Sequence, residues 1–378
     1  MRTFKFNEFN GKTKRKRKFK FGILFRMLTS FAVISFLFVS PIFLFNRNIY
    51  LAPAESFFNK ELKNTVLSLI HVETFEGGKT SRSLFLEKLA SRFNKKNTGV
   101  YITIKTLTPE QLKINYSENF CDIVSFGFGV GDVVLKDLIE LPEIDMREEF
   151  LESSKMNNKV FAYPYMYGGY VAITREQSFN NFNYEKDDIK NLGNITIKQK
   201  NKKEYSLGFA KNGSINIANS LVANDISTQK ELFYENDLST YEMYESFLGN
   251  KFATLIGTTR DLIRCNDRVQ KGTISNLVYN YLGGYTDLVQ YMGITSKSIE
   301  KQEIAKNFLD FVMQSENQKE LTKVGLFSCV EKEIYADGIL KDFEKFLSNK
   351  LEVPFAYLST KEIEELKIEN LKKVCYEV

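Results

Sequence analysis

The stretch that decides the fold runs from residue 66 to residue 128 and alternates two hydrophobic patterns. Its strand-like segments are VLSLIHVETF (Val66–Phe75), VYITIKTL (Val100–Leu107) and DIVSFGF (Asp122–Phe128). Helix-like segments lie between them, SRSLFLEKLASRF (Ser81–Phe93) and PEQLKINY (Pro109–Tyr116). This βαβαβ order predicts an α/β fold built on a parallel sheet.

Two glycine-bearing loops leave these strands at their carboxyl ends, TFEGGKTSR (74–82) and SFGFGVGD (125–132). Ligands meet such loops in open parallel sheets, because helix N-termini present free N–H groups there. The second loop does not match a dinucleotide fingerprint, since its third glycine comes one residue early and it does not follow the first strand. We interpret it as a turn at the edge of a cleft.

An apolar segment near the N-terminus, MLTSFAVISFLFVSPIFLF (Met27–Phe45), carries no charge over nineteen residues. At ~1.5 Å of rise per residue, a helix of this length nearly matches a hydrocarbon core of roughly 30 Å. A basic block, GKTKRKRKFK (11–20), precedes it and predicts a cytoplasmic N-terminus. A nucleic-acid patch is the weaker interpretation of that block, because the adjoining apolar segment gives the charges a topological role.

The apolar segment is interpreted as an uncleaved anchor. It is longer than the 7–15 residues typical of a signal-peptide core, although Ala52-Pro53-Ala54 offers a cleavage pattern and leaves removal after Ala54 open. No cysteine precedes Cys121, so we expect no lipid-modified N-terminal cysteine.

Charge separates this segment from the rest of the chain. Residues 1–26 contain ten Lys or Arg and one acidic residue, Glu8, so their net charge is +9. Because the whole chain has a net charge of +5, residues 27–378 have a net charge of −4. The remainder therefore lacks the basic footprint of a nucleic-acid binder, and no nucleic-acid partner is expected. Four widely spaced cysteines show no metal-site spacing and are interpreted as buried thiols, with disulfides left open (Cys121, Cys265, Cys329 and Cys375).

The sequence offers little for catalysis. Its single histidine, His71, lies in an apolar strand pattern and is interpreted as a packed structural residue. Zinc-protease, paired-cysteine and phosphate-loop motifs are missing, so we expect no catalytic residue, no metal and no cofactor. Aromatic residues are the stronger signal, above all FAYPYMYGGY (161–170), in which Tyr165, Tyr167 or Tyr170 suits a cleft for a polar ring-shaped solute.

The order of segments resembles the extracellular solute-binding proteins of ABC importers, in particular the family that includes sugar binders. The resemblance covers nearly the whole chain beyond residue 62. It rests on SLFLEKLASRFNKKN (83–97) with VYITIK (100–105), CDIVSFG (121–127), KVFAYPYMYGGYVAITRE (159–176), NKFATLIGTTRDL (250–262) and YTDLVQYMGITSKSIEKQEIAKNFLDFVMQSENQKELTKVGLFS (285–328).

The resemblance implies a two-lobed periplasmic-binding-protein-like fold of type II, with a cleft between the lobes and one N-terminal transmembrane helix before them. The expected division is a basic cytoplasmic tail (1–20), a transmembrane signal-anchor (21–45), a stem (46–62), lobe I (63–165 and 285–325) and lobe II (166–284 and 326–378). Hinges are expected near Met166–Val171, Gly283–Tyr285 and Leu326–Cys329.

The resemblance also implies a ligand site in the loops around the groove between the lobes. Carried onto this sequence, its residues are Glu76, Gly77, Ser81, Arg82, Ser125, Phe126, Tyr165, Tyr167, Thr258, Thr259, Arg260 and Tyr285.

The implied function is capture of a small solute, best fitted by a carbohydrate, for delivery to ABC permease subunits. The body would be extracytoplasmic and held at the cell membrane by a single-pass helix. Two other interpretations stay open at this point. One is a membrane-tethered sensor or envelope interaction protein on the same fold, and the other, weaker for lack of a nucleophile pattern, is an envelope hydrolase.

Overall fold

The parallel order predicted from residues 66–128 is present in the computed structural model. Strand β1 (Thr65–Val72) pairs in parallel with β2 (Val100–Leu107) along its whole length and with β3 (Ile123–Gly127) on its other side. Helices α1 (Arg82–Lys96) and α2 (Pro109–Asn115) connect these strands. The βαβαβ prediction is therefore confirmed.

The structure describes most of the chain beyond residue 63. The described ranges are 64–75, 78–117, 120–180, 189–197, 205–211, 216–235, 237–348 and 351–377. The predicted tail, transmembrane segment and stem lie outside them, as do Glu76 and Gly77. None of the helices within these ranges is both long and apolar enough to cross a membrane.

Three later strands complete the first sheet. Strand β13 (Val289–Ile294) runs antiparallel between β3 and β6 (Tyr163–Tyr167), and β14 (Phe327–Ser328) forms the edge beyond β6. The strand order is β14-β6-β13-β3-β1-β2. This sheet therefore collects segments that lie far apart in the sequence.

A second sheet has four strands in the order β11-β7-β10-β8. Its strands are β7 (Tyr170–Arg175), β8 (Leu207–Gly208), β10 (Thr254–Thr258) and β11 (Leu277–Leu282). Strand β7 is antiparallel to both β10 and β11, whereas β8 and β10 are parallel. Short two-stranded ladders join β4 (Lys155–Met156) with β5 (Lys159–Val160), β9 (Thr228–Gln229) with β16 (Cys375–Tyr376), and β12 (Gly284–Tyr285) with β15 (Leu351–Glu352).

Eleven further α-helices surround the sheets among the described residues. They are α3 (Gly131–Leu135), α4 (Glu148–Ser153), α5 (Glu176–Asn180), α6 (Ile217–Ala223), α7 (Thr240–Leu248), α8 (Thr259–Gln270), α9 (Ile299–Met313), α10 (Ser315–Gln318), α11 (Leu321–Val324), α12 (Ile339–Leu347) and α13 (Thr360–Val374).

Helix α9 shows why the hydrophobic pattern of the sequence predicted helices of the first lobe correctly. Its apolar residues recur at helical spacing, and Phe308, Leu309 and Val312 are buried against the first sheet's core. The Phe308 ring meets the Phe93 ring of α1 edge-on, with centroids 5.3 Å apart. The two helices thus cover one face of the sheet together.

A two-residue crossing, Gly168-Gly169, carries the chain from β6 in the first sheet to β7 in the second. The Gly168 N–H donates to the Leu288 carbonyl at 2.7 Å, and the Thr286 hydroxyl donates to the Gly168 carbonyl at 2.8 Å. The Gly169 N–H donates to Thr259 Oγ1 at 2.8 Å, and the Thr259 N–H returns a bond to the Gly169 carbonyl at 3.0 Å. Four hydrogen bonds therefore fix two residues of backbone.

The predicted lobe boundaries stay a prediction, but two strands of the first sheet extend past them. Strand β6 continues to Tyr167, beyond the boundary at 165, and β14 lies beyond the boundary at 325. The chain reaches the second sheet's side again after β14, since Phe343 of α12 stacks on Tyr281 of β11 with ring centroids 4.6 Å apart. The predicted hinge segments lie at or beside these passages between sheets.

The crossing predicts a specific sensitivity at Gly169. A Cβ there would lie 2.6 Å from both Leu347 Cδ1 and Phe343 Cζ of α12. Gly169→Ala should therefore lower the free energy of unfolding by about 1–3 kcal/mol through overpacking. Urea or thermal denaturation measures the change.

Gly249→Ala is the matched control, because Gly249 has φ −74° and a Cβ there would meet its nearest atoms at 3.4 Å. Its stability should stay within about 0.5 kcal/mol of the wild type. Equal stability of the two variants would contradict the close packing of α12 on the crossing.

Candidate functional site

Ten of the twelve predicted site residues are described, and they differ in exposure. Ser81 is exposed and Arg260 is half-buried. The other eight are buried: Arg82, Ser125, Phe126, Tyr165, Tyr167, Thr258, Thr259 and Tyr285. Most of the predicted site residues are therefore packed inside the protein rather than exposed to solvent.

Ser125 is the centre of a buried polar cluster in the first sheet. Its Oγ lies 2.9 Å from His71 Nδ1 and 2.9 Å from the Tyr165 hydroxyl, and it accepts a bond from Gln290 Nε2 at 3.0 Å. These four residues come from β3, β1, β6 and β13, which lie side by side. One hydroxyl thus connects four adjacent strands.

Arg82 extends this cluster from the first residue of α1. Its Nη1 donates to Gln290 Oε1 at 2.9 Å, and its guanidinium lies 4.2 Å from the centroid of the Phe75 ring. The side chain is 1% exposed, and its Nε has no hydrogen-bond partner. Burial lowers the pKa of Arg82 to about 10, because a charged guanidinium is costly to remove from water.

His71 is buried, as its apolar surroundings in the sequence predicted. Burial holds its pKa well below the ordinary value of 6.5, and the neighbouring Arg82 charge adds to the effect. Its Nε2 has no hydrogen-bond partner. The imidazole is therefore neutral at physiological pH.

Phe126 and Tyr167 are packed into the core and do not join the Ser125 cluster. The Phe126 ring stacks on Tyr291 with centroids 5.6 Å apart. The Tyr167 hydroxyl accepts a bond from Arg147 Nη1 at 2.8 Å, and its ring lies 4.6 Å from that of Phe150. Burial raises the pKa of Tyr167, so its hydroxyl stays protonated.

The first turn of α8 follows β10 of the second sheet and contains predicted site residues. Thr258 caps the helix in a reciprocal arrangement with Asp261, which positions the next two residues. Thr259 holds the crossing at Gly169, and Arg260 Nη1 donates to the Gly78 carbonyl in the loop after β1. This turn therefore contacts both the crossing and the first lobe.

Tyr285 lies in a second buried polar group centred on Asp287. The Asp287 carboxylate accepts bonds from the Tyr170 hydroxyl at 2.5 Å and the Asn216 N–H at 2.5 Å. Burial raises the pKa of Asp287, while these two donors act in the opposite direction. Burial also raises the pKa of Tyr285 well above its ordinary value. Asp287 thus joins β7, the residue that precedes α6, and the segment that leads into β13.

A cavity of about 270 Å³ lies beside Asp287, and sequence reasoning missed it. Its lining residues are Phe209, Ala210, Lys211, Asn216, Ile217, Ala218, Glu364, Lys367, Ile368 and Leu371. The last four recur at the spacing of one helix face, and the first three directly follow β8, so both signals were present in the sequence. The lysine- and asparagine-rich surroundings of β8 hid the strand.

Solved structures of other proteins resemble this fold, whereas sequence comparisons find no match. No protein-family model matches the sequence, and no curated protein matches it. The sugar-binding protein MalE from Xanthomonas citri matches with a TM-score of 0.59 and 11% identity, over 82% of this chain and 92% of that chain. The chain has a two-lobed periplasmic-binding-protein-like fold.

The same fold is shared with a second binding protein and with an enzyme. The GacH receptor of Streptomyces glaucescens GLA.O, solved unliganded and with acarbose, matches with a TM-score of 0.58 and 12% identity, over 81% of this chain and 92% of that chain. Thiaminase I from Bacillus thiaminolyticus matches with a TM-score of 0.55 and 10% identity, over 81% of this chain and 100% of that chain. The fold alone therefore does not separate binding from catalysis.

The single histidine of the chain predicts a pH dependence of stability that can be measured cleanly. Below about pH 6.5 the unfolded chain takes up a proton that folded His71 does not, so stability falls as the pH falls. The expected loss approaches about 1.4 kcal/mol per pH unit. Denaturant unfolding of wild type and His71→Asn at pH 7.5, 6.0 and 5.0 measures it.

His71→Asn keeps a polar atom near the position of Nδ1 and removes the titrating group. The pH dependence due to His71 is therefore the change with pH of the difference in unfolding free energy between the two proteins. Buried carboxylates titrate alike in both and cancel. A constant difference from pH 7.5 to 5.0 would show that folded His71 titrates normally.

Proposed function

We propose that this chain is the extracytoplasmic solute-binding component of an ABC importer, which captures a small solute between two hinged lobes. The observation that carries the proposal is the link between lobes at the first turn of α8. Thr259 fixes the Gly168-Gly169 crossing, and the next residue, Arg260, reaches the Gly78 carbonyl of the first lobe. The residue that binds the predicted hinge and the residue that contacts the first lobe are thus adjacent in sequence.

The mechanism is capture without bond breaking. A solute that touches both lobes stabilises only the closed arrangement, so its binding free energy shifts the balance between open and closed forms. Arg260 contributes to that arrangement, because its bond to Gly78 joins the second lobe to the loop after β1. Closure would then present a changed surface to permease subunits.

A carbohydrate is the proposed solute class, and the support comes from the similar structures. MalE from Xanthomonas citri is a sugar-binding protein, and GacH was solved with acarbose. The tyrosine cluster of this structure gives no direct support. Tyr165, Tyr167 and Tyr170 are at most 1% exposed, and their hydroxyls bond within the protein.

Tethering to the cell membrane by residues 21–45, with the N-terminus cytoplasmic, belongs to the same proposal. Its support is the uncharged segment Met27–Phe45 and the basic block before it. A tethered binding protein would keep captured solute close to a permease in the same membrane.

Binding is favoured over covalent catalysis by the state of the nucleophile candidates. Burial raises the pKa of all four thiols, to about 11 for Cys121 and to about 12 for Cys375. A protonated thiol is a poor nucleophile. His71 is buried beside a cation, so it is poorly placed to accept a proton.

A thermal-shift screen of the full-length protein in detergent tests capture directly. The panel should contain mono- and oligosaccharides, amino acids, peptides, polyamines and anions. A ligand at ~100 times its dissociation constant should stabilise the protein by about 2.7 kcal/mol. Stabilisation by a saccharide supports the proposal, and silence across the panel would favour a sensor or interaction role.

Arg260→Ala tests the closing contact. It should weaken binding of the solute found in the screen about tenfold, because one charge-assisted bond across the groove is lost. Arg268→Ala, on the same helix but 43% exposed, is the matched control and should leave affinity unchanged. Calorimetry measures both, and equal affinities would remove Arg260 from the closing contact.

A further inference from the structure

The cavity beside Asp287 has an apolar wall and is open to solvent on one side. Phe209, Ala210, Ile217 and Ala218 form buried parts of the wall, and α13 supplies the opposite side. At the mouth lies Ile368, which is 56% exposed although its side chain is large and apolar. A molecule held in the cavity would cover that surface.

One polar atom in this wall has no partner. Asn216 is 3% exposed, and its Oδ1 makes no hydrogen bond, although its own N–H is bonded to Asp287. Leaving a buried acceptor unpaired costs about 1–3 kcal/mol. Of the lining residues that the structure describes, Asn216 alone has such a buried, unpaired side-chain atom. A ligand with one hydrogen-bond donor would satisfy it.

Both lysines that line the cavity have acidic neighbours. Lys211 is paired with Glu235 at 2.9 Å. Burial lowers the pKa of Lys367, while the neighbouring carboxylates of Asp287 and Glu364 act in the opposite direction. The lining therefore does not require a charged ligand.

We propose that this cavity is a ligand site for a small neutral molecule with an apolar body and one hydroxyl. A phenol or a short alcohol has this chemistry. The apolar wall and the single unpaired acceptor do not suit a polyol such as a sugar, which needs many hydrogen bonds. The volume of about 270 Å³ exceeds the ~150 Å³ apolar cavity that holds benzene.

The test uses two probes of the same shape, 4-fluorophenol and 4-fluorotoluene, which differ in the hydroxyl. The full-length protein is placed in lipid nanodiscs, and binding is measured from fluorine NMR line widths against empty nanodiscs. Wild type should bind the phenol more tightly than the toluene. Asn216→Leu should weaken phenol binding about tenfold and leave toluene binding unchanged or tighter.

Two further variants and one control complete the test. Ala218→Phe should abolish binding of both probes by filling the cavity. Ile368→Glu, which alters only an exposed side chain, should weaken both probes severalfold and serves if the buried variants fail to fold. Asn307→Leu, on an exposed position of α9, is the matched control and should change neither affinity.

The proposal is overturned if neither probe binds beyond empty nanodiscs, or if Asn216→Leu leaves the preference for the phenol unchanged. Binding that survives both Ala218→Phe and Ile368→Glu would also overturn it, since the probes would then occupy another place. These outcomes are independent of the saccharide screen, so failure of one proposal leaves the other standing.

Discussion

The reciprocal hydrogen bonds between Thr259 and Gly169 are the constraint on which the two-sheet arrangement depends. The Gly169 N–H and carbonyl are committed to one threonine at the start of α8, while Gly168 is committed to Thr286 and Leu288 on the returning segment. The segment that leaves the first sheet and the segment that returns to it are therefore hydrogen-bonded to each other. A change in the angle between the sheets therefore requires backbone rotation next to Gly168-Gly169 or the breaking of these hydrogen bonds.

The two buried polar groups, centred on Ser125 and on Asp287, stabilise the structure in different ways. Ser125 connects four neighbouring strands of the first sheet through neutral partners, which fixes their register without burying an ion pair. Asp287 instead ties the second lobe to the returning segment through a buried carboxylate. The first group holds a sheet together, and the second holds two parts of the chain in place.

Local pattern was sufficient to predict the βαβαβ elements of residues 66–128 and helix α9. The segment Val100–Leu107 was placed correctly to the residue, and the apolar stripe of α9 is buried at Phe308, Leu309 and Val312. These elements have strong periodicity, so neighbouring residues determine them. The exposure of the predicted site residues was harder to predict, because it depends on side chains that come from elements distant in the sequence. Tyr165 is fully buried because Ser125 and Phe85 reach it from other elements.

The cavity shows the other limit of sequence reasoning. Its two sides come from the loop after β8 and from α13, which are about 150 residues apart. Each side has a recognisable pattern, but no local rule states that they face each other. Strand β8 has only two residues and lies among lysines and asparagines, so its hydrophobic signal is weak. Only the fold brings the two patterns together.

The strand order also determines when each sheet can be completed as the chain leaves the ribosome. The four strands of the second sheet lie within residues 170–282 and can pair with one another before the rest emerges. The first sheet must wait, because β13 is the central strand between β3 and β6 and begins only at residue 289. Until then β3 and β6 each keep an open edge, and long-range pairing of this kind is slow and prone to aggregation. The lobe that is translated first therefore completes its sheet last. Its unpaired strand edges are the part of the nascent chain most in need of a chaperone.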